Sequence, residues 1–385
     1  MTIKLAPAVR FPGFTDVWEQ RKLGSIYQFQ YGHFNNNPDN GGIYPIYGAN
    51  GIIGGYHGFN AENSVVIGHM GAYAGHVLWV EGKHFVTYNG TIGFPKDLNF
   101  DRKFGFHMLQ HINIPKITAG SGQPFVSYSD LENIKLYISD SIDEQNKLGY
   151  FFDMLENTIA LHQHHLDNHK ELKKALLQKM FPRNGEKLPE VRFGGFTEVW
   201  EKRKLNKVMS DFIVPMRDKP KEFSGEIPWT RIEDIEGKYL NDSLSGQYVS
   251  QAIIEKMNLK VIPKDSLIVS ASATFGVVAI VTQDLITNQT FIGLVPEANF
   301  DLDFLYTLFQ TPTVRTKMKF ESAGSTIFYI TRQTFENMQF LLPSYEEQQS
   351  IGSFFKNIDD TITLLQQKLN DYQRLKKVML QQMFV

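Results

Sequence analysis

The stretch VRFPGFTDVWEQRKL, beginning at Val9, recurs as VRFGGFTEVWEKRKL beginning at Val191, 182 positions on. A longer pair follows. EQNKLGYFFDMLENTIALHQHHLDNHKELKKALLQKMF from Glu144 aligns without a gap with EQQSIGSFFKNIDDTITLLQQKLNDYQRLKKVMLQQMF from Glu347, 203 positions on. Two ungapped matches at two offsets describe a tandem duplication, and the difference of 21 residues places extra chain between motif and tail in the second half. Any fold for this sequence must therefore be built twice.

The repeated tail has the period of a long helix. Leu148, Phe152, Leu155, Ile159, His162, Leu166 and His169 step by four and three. So do Ile351, Phe355, Ile358, Ile362, Leu365, Leu369 and Tyr372, the spacing of a coiled-coil seam. At about 1.5 Å per residue, a tail of this length extends roughly 57 Å. A small globular domain cannot cover so long a stripe, so the two helices are expected to pack on each other, antiparallel, as pseudo-twofold symmetry requires. Trp18 and Trp200, two of four tryptophans, take equivalent places where an aromatic can plug the junction of helix and globular segment; partner docking is the alternative. Thr15 or Asp16 is expected to cap a short helix there.

The segments between motif and tail, 24–141 and 206–344, are rich in short β-like runs. SVVIG, HVLWV and HFVTY occur in the first, and LKVIP, SLIVSAS, VVAIVT and FIGLV in the second. Short helices are expected at DRKFGFHMLQHI and DLDFLYTLFQT. The matched stretches TAGSGQPFVSYSDLENI and SAGSTIFYITRQTFENM follow them. The expected fold is α+β: two α/β domains joined by two long helices in an antiparallel coiled coil. The expected boundaries are 1–23 for the first motif, 24–141 for the first domain and 142–182 for the first helix. The second half follows as 183–205, 206–344 and 345–385.

Composition narrows the class. Apolar residues at 42% and charged residues at 21% fit a soluble globular protein. No run approaches a membrane span and the start lacks a secretory pattern, so a cytoplasmic location is expected. With no cysteine, disulfides, thiolate catalysis and cysteine-bound zinc are excluded.

Motifs for catalysis are scarce. No phosphate-binding G-x-x-x-x-G-K-[ST] is present, and the glycines of GANGIIGG (Gly48, Gly51, Gly54, Gly55) are misplaced for a dinucleotide turn. NNNPDN shares only a dipeptide with the Asn-Pro-Pro-aromatic signature of amino-methyltransferases. Pro38 and Asp39 with Glu81 and Lys83 spell a loose metal-dependent nuclease pattern spread over forty positions. His162, His164, His165 and His169 include an i, i+4 pair that could bind a metal, but solvated or seam histidines suit a coiled coil better. No metal site, no cofactor of its own and no catalysis are expected.

The paired F-x-G-F-T-x-x-W-E-x-R-K-L motifs from Phe11 and Phe193, the helices ending L-K-K-x-x-L-Q-x-M-F and the stretch YPIYGANGIIG from Tyr44 together resemble the specificity subunit of Type I restriction–modification enzymes. That resemblance covers essentially the whole chain. It implies two target recognition domains, each reading half of a bipartite site in double-stranded DNA, and helices that set the spacer and dock two methyltransferase subunits. It further implies restriction and translocase subunits, with S-adenosylmethionine, ATP and Mg held by partners and not by this chain. A stand-alone nuclease, or a bivalent scaffold for protein or glycan ligands, is the alternative.

Base reading calls for fork-shaped or amide side chains. In the first domain the candidates are Tyr31, His33, Asn50, His57, His69, Tyr73, His76, Asn89, Ser121 and Gln123. In the second they are Arg217, Lys219, Lys221, Trp229, Arg231, Ser272, Thr274, Asn288, Gln289, Tyr329 and Arg332. A net charge of -2, with both inserts slightly acidic, opposes tight binding to phosphates by the chain alone. Seven of the eleven histidines lie in the first insert, so its nonspecific DNA binding is expected to strengthen toward pH 6.

Overall fold

The computed structural model describes residues 5–33, 39–117, 124–183, 185–271, 276–322 and 329–385. The chain forms two compact units. The first comprises residues 1–162 with 368–385, the second residues 163–367.

In the first unit, strand β1 (Glu19–Lys22) leads through a one-turn helix, α1 (Leu23–Ile26), into β2 (Tyr27–Tyr31). The strands β3 (Tyr44–Gly48), β4 (Gly51–Tyr56), β5 (Ala61–Gly68), β6 (Val77–Val86) and β7 (Gly90–Pro95) complete a six-stranded sheet in the order β2-β7-β5-β6-β3-β4. Its pairs are antiparallel except β3 with β6. Strand β5 shows why Val65, Val66 and Ile67 are consecutive apolar residues instead of alternating with polar ones. Val65 and Ile67 face a large core shared with helices, while Val66 faces a smaller one with Val80, Val86 and Ile92, so both faces are covered. Helix α2 (Arg102–Ile112) starts where the Asp101 carboxylate accepts from Phe104 N at 2.6 Å. Helix α3 (Tyr128–Asn133) carries a capping box between Ser127 and Asp130. Strand β8 (Lys135–Ile138) pairs with β1 and leads into α4 (Ile142–Lys179).

The second unit repeats this plan. Strand β9 (Glu201–Lys204) precedes β10 (Met209–Ile213). Then come β11 (Ile227–Thr230), β12 (Ile235–Glu236), β13 (Tyr239–Leu240), β14 (Tyr248–Val249) and helix α5 (Gln251–Met257). Strands β15 (Leu267–Ser270), β16 (Val278–Val281), β17 (Ile286–Thr287) and β18 (Phe291–Pro296) follow, with the main sheet ordered β10-β18-β15-β16-β13-β12. Helix α6 (Leu302–Gln310) is capped by Asp301, which accepts from Phe304 N at 2.7 Å, as Asp101 does in the first unit. Helices α7 (Pro312–Glu321) and α8 (Arg332–Asn337), strand β19 (Gln339–Leu342) and the long α9 (Tyr345–Met383) complete the chain.

The extra residues of the second half can be located. The offset between equivalent positions is 182 at Trp18/Trp200 and 202 at Ser64/Ser266, so the insertion lies between β10 and β15. There the second unit builds β11 to β14 and α5; β17, from beyond β15, pairs with β11, and together they enclose a core of Trp229, Val249, Ile254, Leu259 and Ile286.

The long helices run antiparallel within each unit. In the first, Phe152 meets Phe384 and His162 stacks on Tyr372, so numbers rise on one helix as they fall on the other. In the second, Lys173 meets Asp359 and Phe181 meets Phe355. Of the seam positions, Leu148, Phe152, Leu155, Leu166, Ile351, Phe355, Ile358 and Leu369 are buried, while Ile159, Ile362, Leu365 and Tyr372 are half-buried.

Two local expectations fail. Thr15 and Asp16 cap no helix, because the chain turns at Pro12-Gly13 and passes directly into β1; Gly13 sits at φ +95°, where a side chain would be strained. LKVIP forms no strand beyond an isolated bridge from Ile262 to Leu285, since Asn258 ends α5 in the left-handed region at φ +49° and Leu259 turns inward to the core beside it.

Candidate nucleic-acid interface

Each globular head is fixed to the helices by the repeated motif. Arg10 donates from Nε and Nη2 to the two carboxylate oxygens of Glu144 at 2.5 and 2.8 Å, and Trp18 Nε1 donates to the same group at 3.1 Å. Burial raises the Glu144 pKa, but hydrogen bonds from Arg10, Ser139 and Trp18 and the Arg10 charge outweigh it, so the carboxyl titrates below the usual range. Arg192 grips Glu347 in the same way, at 2.6 and 2.7 Å. Trp18 lies edge-on to Phe104 and Phe384, and Trp200 edge-on to Phe304 and Phe181. Both tryptophans are 2% exposed, which agrees with an internal plug and leaves no face for docking.

A second brace is also duplicated. Lys376 pairs with Glu156, which accepts from Gln110 at 3.2 Å. Lys173 bonds Asp359 at 2.5 Å and Gln310 at 2.6 Å. Lysine from the end of one helix, acid from the start of the other and glutamine from the head thus meet in each unit. His107, Asp153 and Glu156 lie within metal-ligand reach of one another, but Lys103 and Lys376 already neutralise both carboxylates.

At the end of β2 the first head gathers an aromatic wall. The Tyr31 ring stacks on Tyr128 at 3.9 Å and lies 4.3 Å from His69; His69 and Tyr88 meet edge-on at 5.6 Å. Tyr128 also accepts from Tyr31 N through its hydroxyl. Burial pushes both the Tyr31 and Tyr128 pKa values up. Exposed Asn89 adjoins the wall, since its carbonyl accepts from His69 N, and exposed His33 bonds Tyr88 N through its own carbonyl. Exposed Tyr73 and His76 form an edge-on pair. Asn50 is exposed in the β3–β4 turn, and exposed His57 follows β4, the last strand in spatial order.

In the second head, Arg217, Lys219 and Lys221 are exposed between β10 and β11, with the Lys219 ammonium 5.3 Å from the Phe223 ring centre. Arg231 is half-buried and donates to Gln247 at 2.9 Å. Gln289 and Tyr329 are exposed, and the Asn288 side chain closes its own turn by accepting from Thr290 N. Arg332 opens α8, donating to Glu336 at 2.8 Å and reaching Asp211 at 3.4 Å. Ser121, Gln123, Ser272 and Thr274 lie outside the described residues, as does Pro38.

Two candidates are corrected. Trp229, 3% exposed, is packed in a core with Val249, Ile254, Leu259 and Ile286 and presents no edge to DNA. His69, 7% exposed, bonds the Val126 carbonyl through Nδ1 at 2.9 Å and packs its ring against Tyr31 and Tyr88. The histidine-rich character of the first insert is likewise partly internal, for His84 and His107 are fully buried. Asp39 accepts from Gly41 N and Gly55 N, a hairpin-pinning role, while Lys83 lies over Phe59. Sequence reasoning missed Tyr88 and Tyr128, as well as the Arg10–Glu144 and Arg192–Glu347 clamps. The clamps were detectable as identities inside both matched stretches.

The two units define a duplicated α+β protein: one framework, built twice, with different exposed side chains on each copy. The model of the Type I restriction modification DNA specificity domain matches residues 15–170 and again 198–373, and the chain belongs to that family. Among relatives, the MjaIX specificity subunit of Methanocaldococcus jannaschii is 27% identical over 195 residues, half of this chain and 44% of that protein. The putative MjaX specificity subunit of the same organism is 21% identical over 316 residues, 79% of this chain and 73% of that one. The chain thus spans less than half the length of the first of these. The fold is shared with the crystal structure of a Type I S subunit from M. genitalium, at a TM-score of 0.72 and 14% identity over 99% of both chains.

Proposed function

We propose that the chain is the DNA-reading, non-catalytic subunit of a Type I restriction–modification complex, each head recognising one half of a bipartite duplex site. The observation that carries this reading is the duplicated match to a DNA specificity domain on heads whose frameworks agree and whose exposed side chains differ. Methylation and ATP-dependent cleavage then belong to partner subunits, two modification subunits among them, which bring S-adenosylmethionine, ATP and Mg. The net charge of -2 supports this division. Non-specific affinity for DNA rests on phosphate neutralisation by Lys and Arg, so the isolated chain binds weakly and the assembly binds tightly. No helix among the described residues is long and apolar enough to cross a membrane, and a cytoplasmic site of action suits a partner of DNA.

Mapping methylated adenines in a genome where the chain is expressed with modification subunits tests the reading. A split motif with a constant gap is expected; an undivided motif, or no methylation dependent on this chain, contradicts it.

A further inference from the structure

The two heads can be superposed through their hydrogen bonds. His69 N donates to Asn89 O at 2.8 Å and Ala271 N to Thr290 O at 2.9 Å; Val126 N donates to His69 O at 2.9 Å and Ile330 N to Ala271 O at 2.8 Å. Gly90 N reaches Thr87 O as Phe291 N reaches Asn288 O. Ser127 caps α3 as Thr331 caps α8. His69 is therefore equivalent to Ala271, Tyr88 to Gln289 and Tyr128 to Arg332.

On this constant backbone the side chains differ completely. The first head has its tyrosine and histidine wall; the second has a small alanine, an exposed glutamine and an arginine. Positions that join head to helix do the opposite and keep their residue, as Asp101/Asp301, Gln110/Gln310 and Gly149/Gly352 show. Different targets read from the same framework demand this division, with constancy at the anchor and divergence at the reading face.

Arg332 is the side chain there best suited to a base. It is 52% exposed, and Glu336 holds its Nε while Asp211 lies at its Nη2. A half-exposed ion pair adds little to stability, but carboxylates at Nε and Nη2 orient the guanidinium and turn the edge that carries Nη1 outward, and the Nη1 and Nη2 hydrogens on that edge match O6 and N7 of guanine. We propose that Arg332 reads a guanine in the half-site of the second head. The proposal rests on the bipartite reading above and assigns a specificity-determining residue within it.

The test uses the assembled complex. Methylated adenines are mapped for the wild-type chain, Arg332→Gln and Arg332→Lys, each expressed with modification subunits. Arg332→Gln is expected to relax preference for one guanine in one half-site by about tenfold or more, with the other half-site and the gap unchanged, and Arg332→Lys to retain part of that preference. An unchanged motif in Arg332→Gln overturns the proposal. So does equal loosening of both half-sites, or loss of all methylation by both variants with a lowered Tm, which assigns Arg332 to the fold. A wild-type chain that yields no split motif refutes the functional reading itself, before Arg332 is reached.

Discussion

Arg10 and Glu144 stand 134 positions apart in sequence yet form a two-pronged ion pair, with the Glu144 side chain fully buried and that of Arg10 at 14% exposure. It joins the motif that opens the first half to the first turn of the helix that closes it, as Arg192 and Glu347 do in the second. Removing one partner strands a buried charge, which costs about 3–5 kcal/mol. Arg10→Ala should approach that loss in chemical denaturation, and Arg10→Ala with Glu144→Ala should cost less than the sum of the single changes. Additive losses would show that the pair does not couple.

Gly149 and Gly352 test the closeness of head and helix. A Cβ at Gly149 would stand 2.4 Å from Asp101 Oδ1, and one at Gly352 2.3 Å from Asp301 Oδ1. Alanine at either position must displace an N-cap, so Gly149→Ala is expected to lose about 2–4 kcal/mol from overpacking and lost capping together. Gly194→Ala, which meets nothing within 4 Å, is the control and should stay within about 0.5 kcal/mol of wild type.

Acid should act unequally on the two units. Burial lowers the pKa values of His84, His107 and His111, all in the first head. Their neutral forms are favoured in the fold, so the unfolded chain takes up protons first, and stability falls as pH drops below the ordinary histidine value. Glu144, depressed in the fold, adds a loss at lower pH, beneath the usual glutamate range. Hydrogen-exchange protection factors, taken relative to the intrinsic rate at each pH, should fall between pH 7 and 5 in β5 and α2 more than in β15 and α6; an equal fall would contradict this.

Trp229 separates a core role from a DNA contact. Trp229→Ala should cost about 3–5 kcal/mol by cavity formation, read as lower stability of the second unit. An unchanged Tm with altered sequence preference would reverse the assignment.

The duplication, both long helices and the helices after Asp101 and Asp301 were legible because each is a periodic or local signal, repeated. Trp229 was not. An aromatic in a Lys-rich segment reads as a surface contact until the inserted strands and α5 are seen to enclose it, and those contacts are non-local. His69 misled for a related reason: its burial depends on Tyr31, Tyr88 and the Val126 carbonyl, which arrive from three separate segments. Arg10 and Glu144 were each visible as repeated residues, but their pairing needed three dimensions.

The proposed function requires each head to read its own short sequence. Selection of duplexes from a random pool by the chain assembled with modification subunits measures this directly. Two short conserved blocks separated by a gap of fixed length and free composition are predicted. Enrichment of one uninterrupted motif, or recovery of duplexes with no shared sequence, would contradict it.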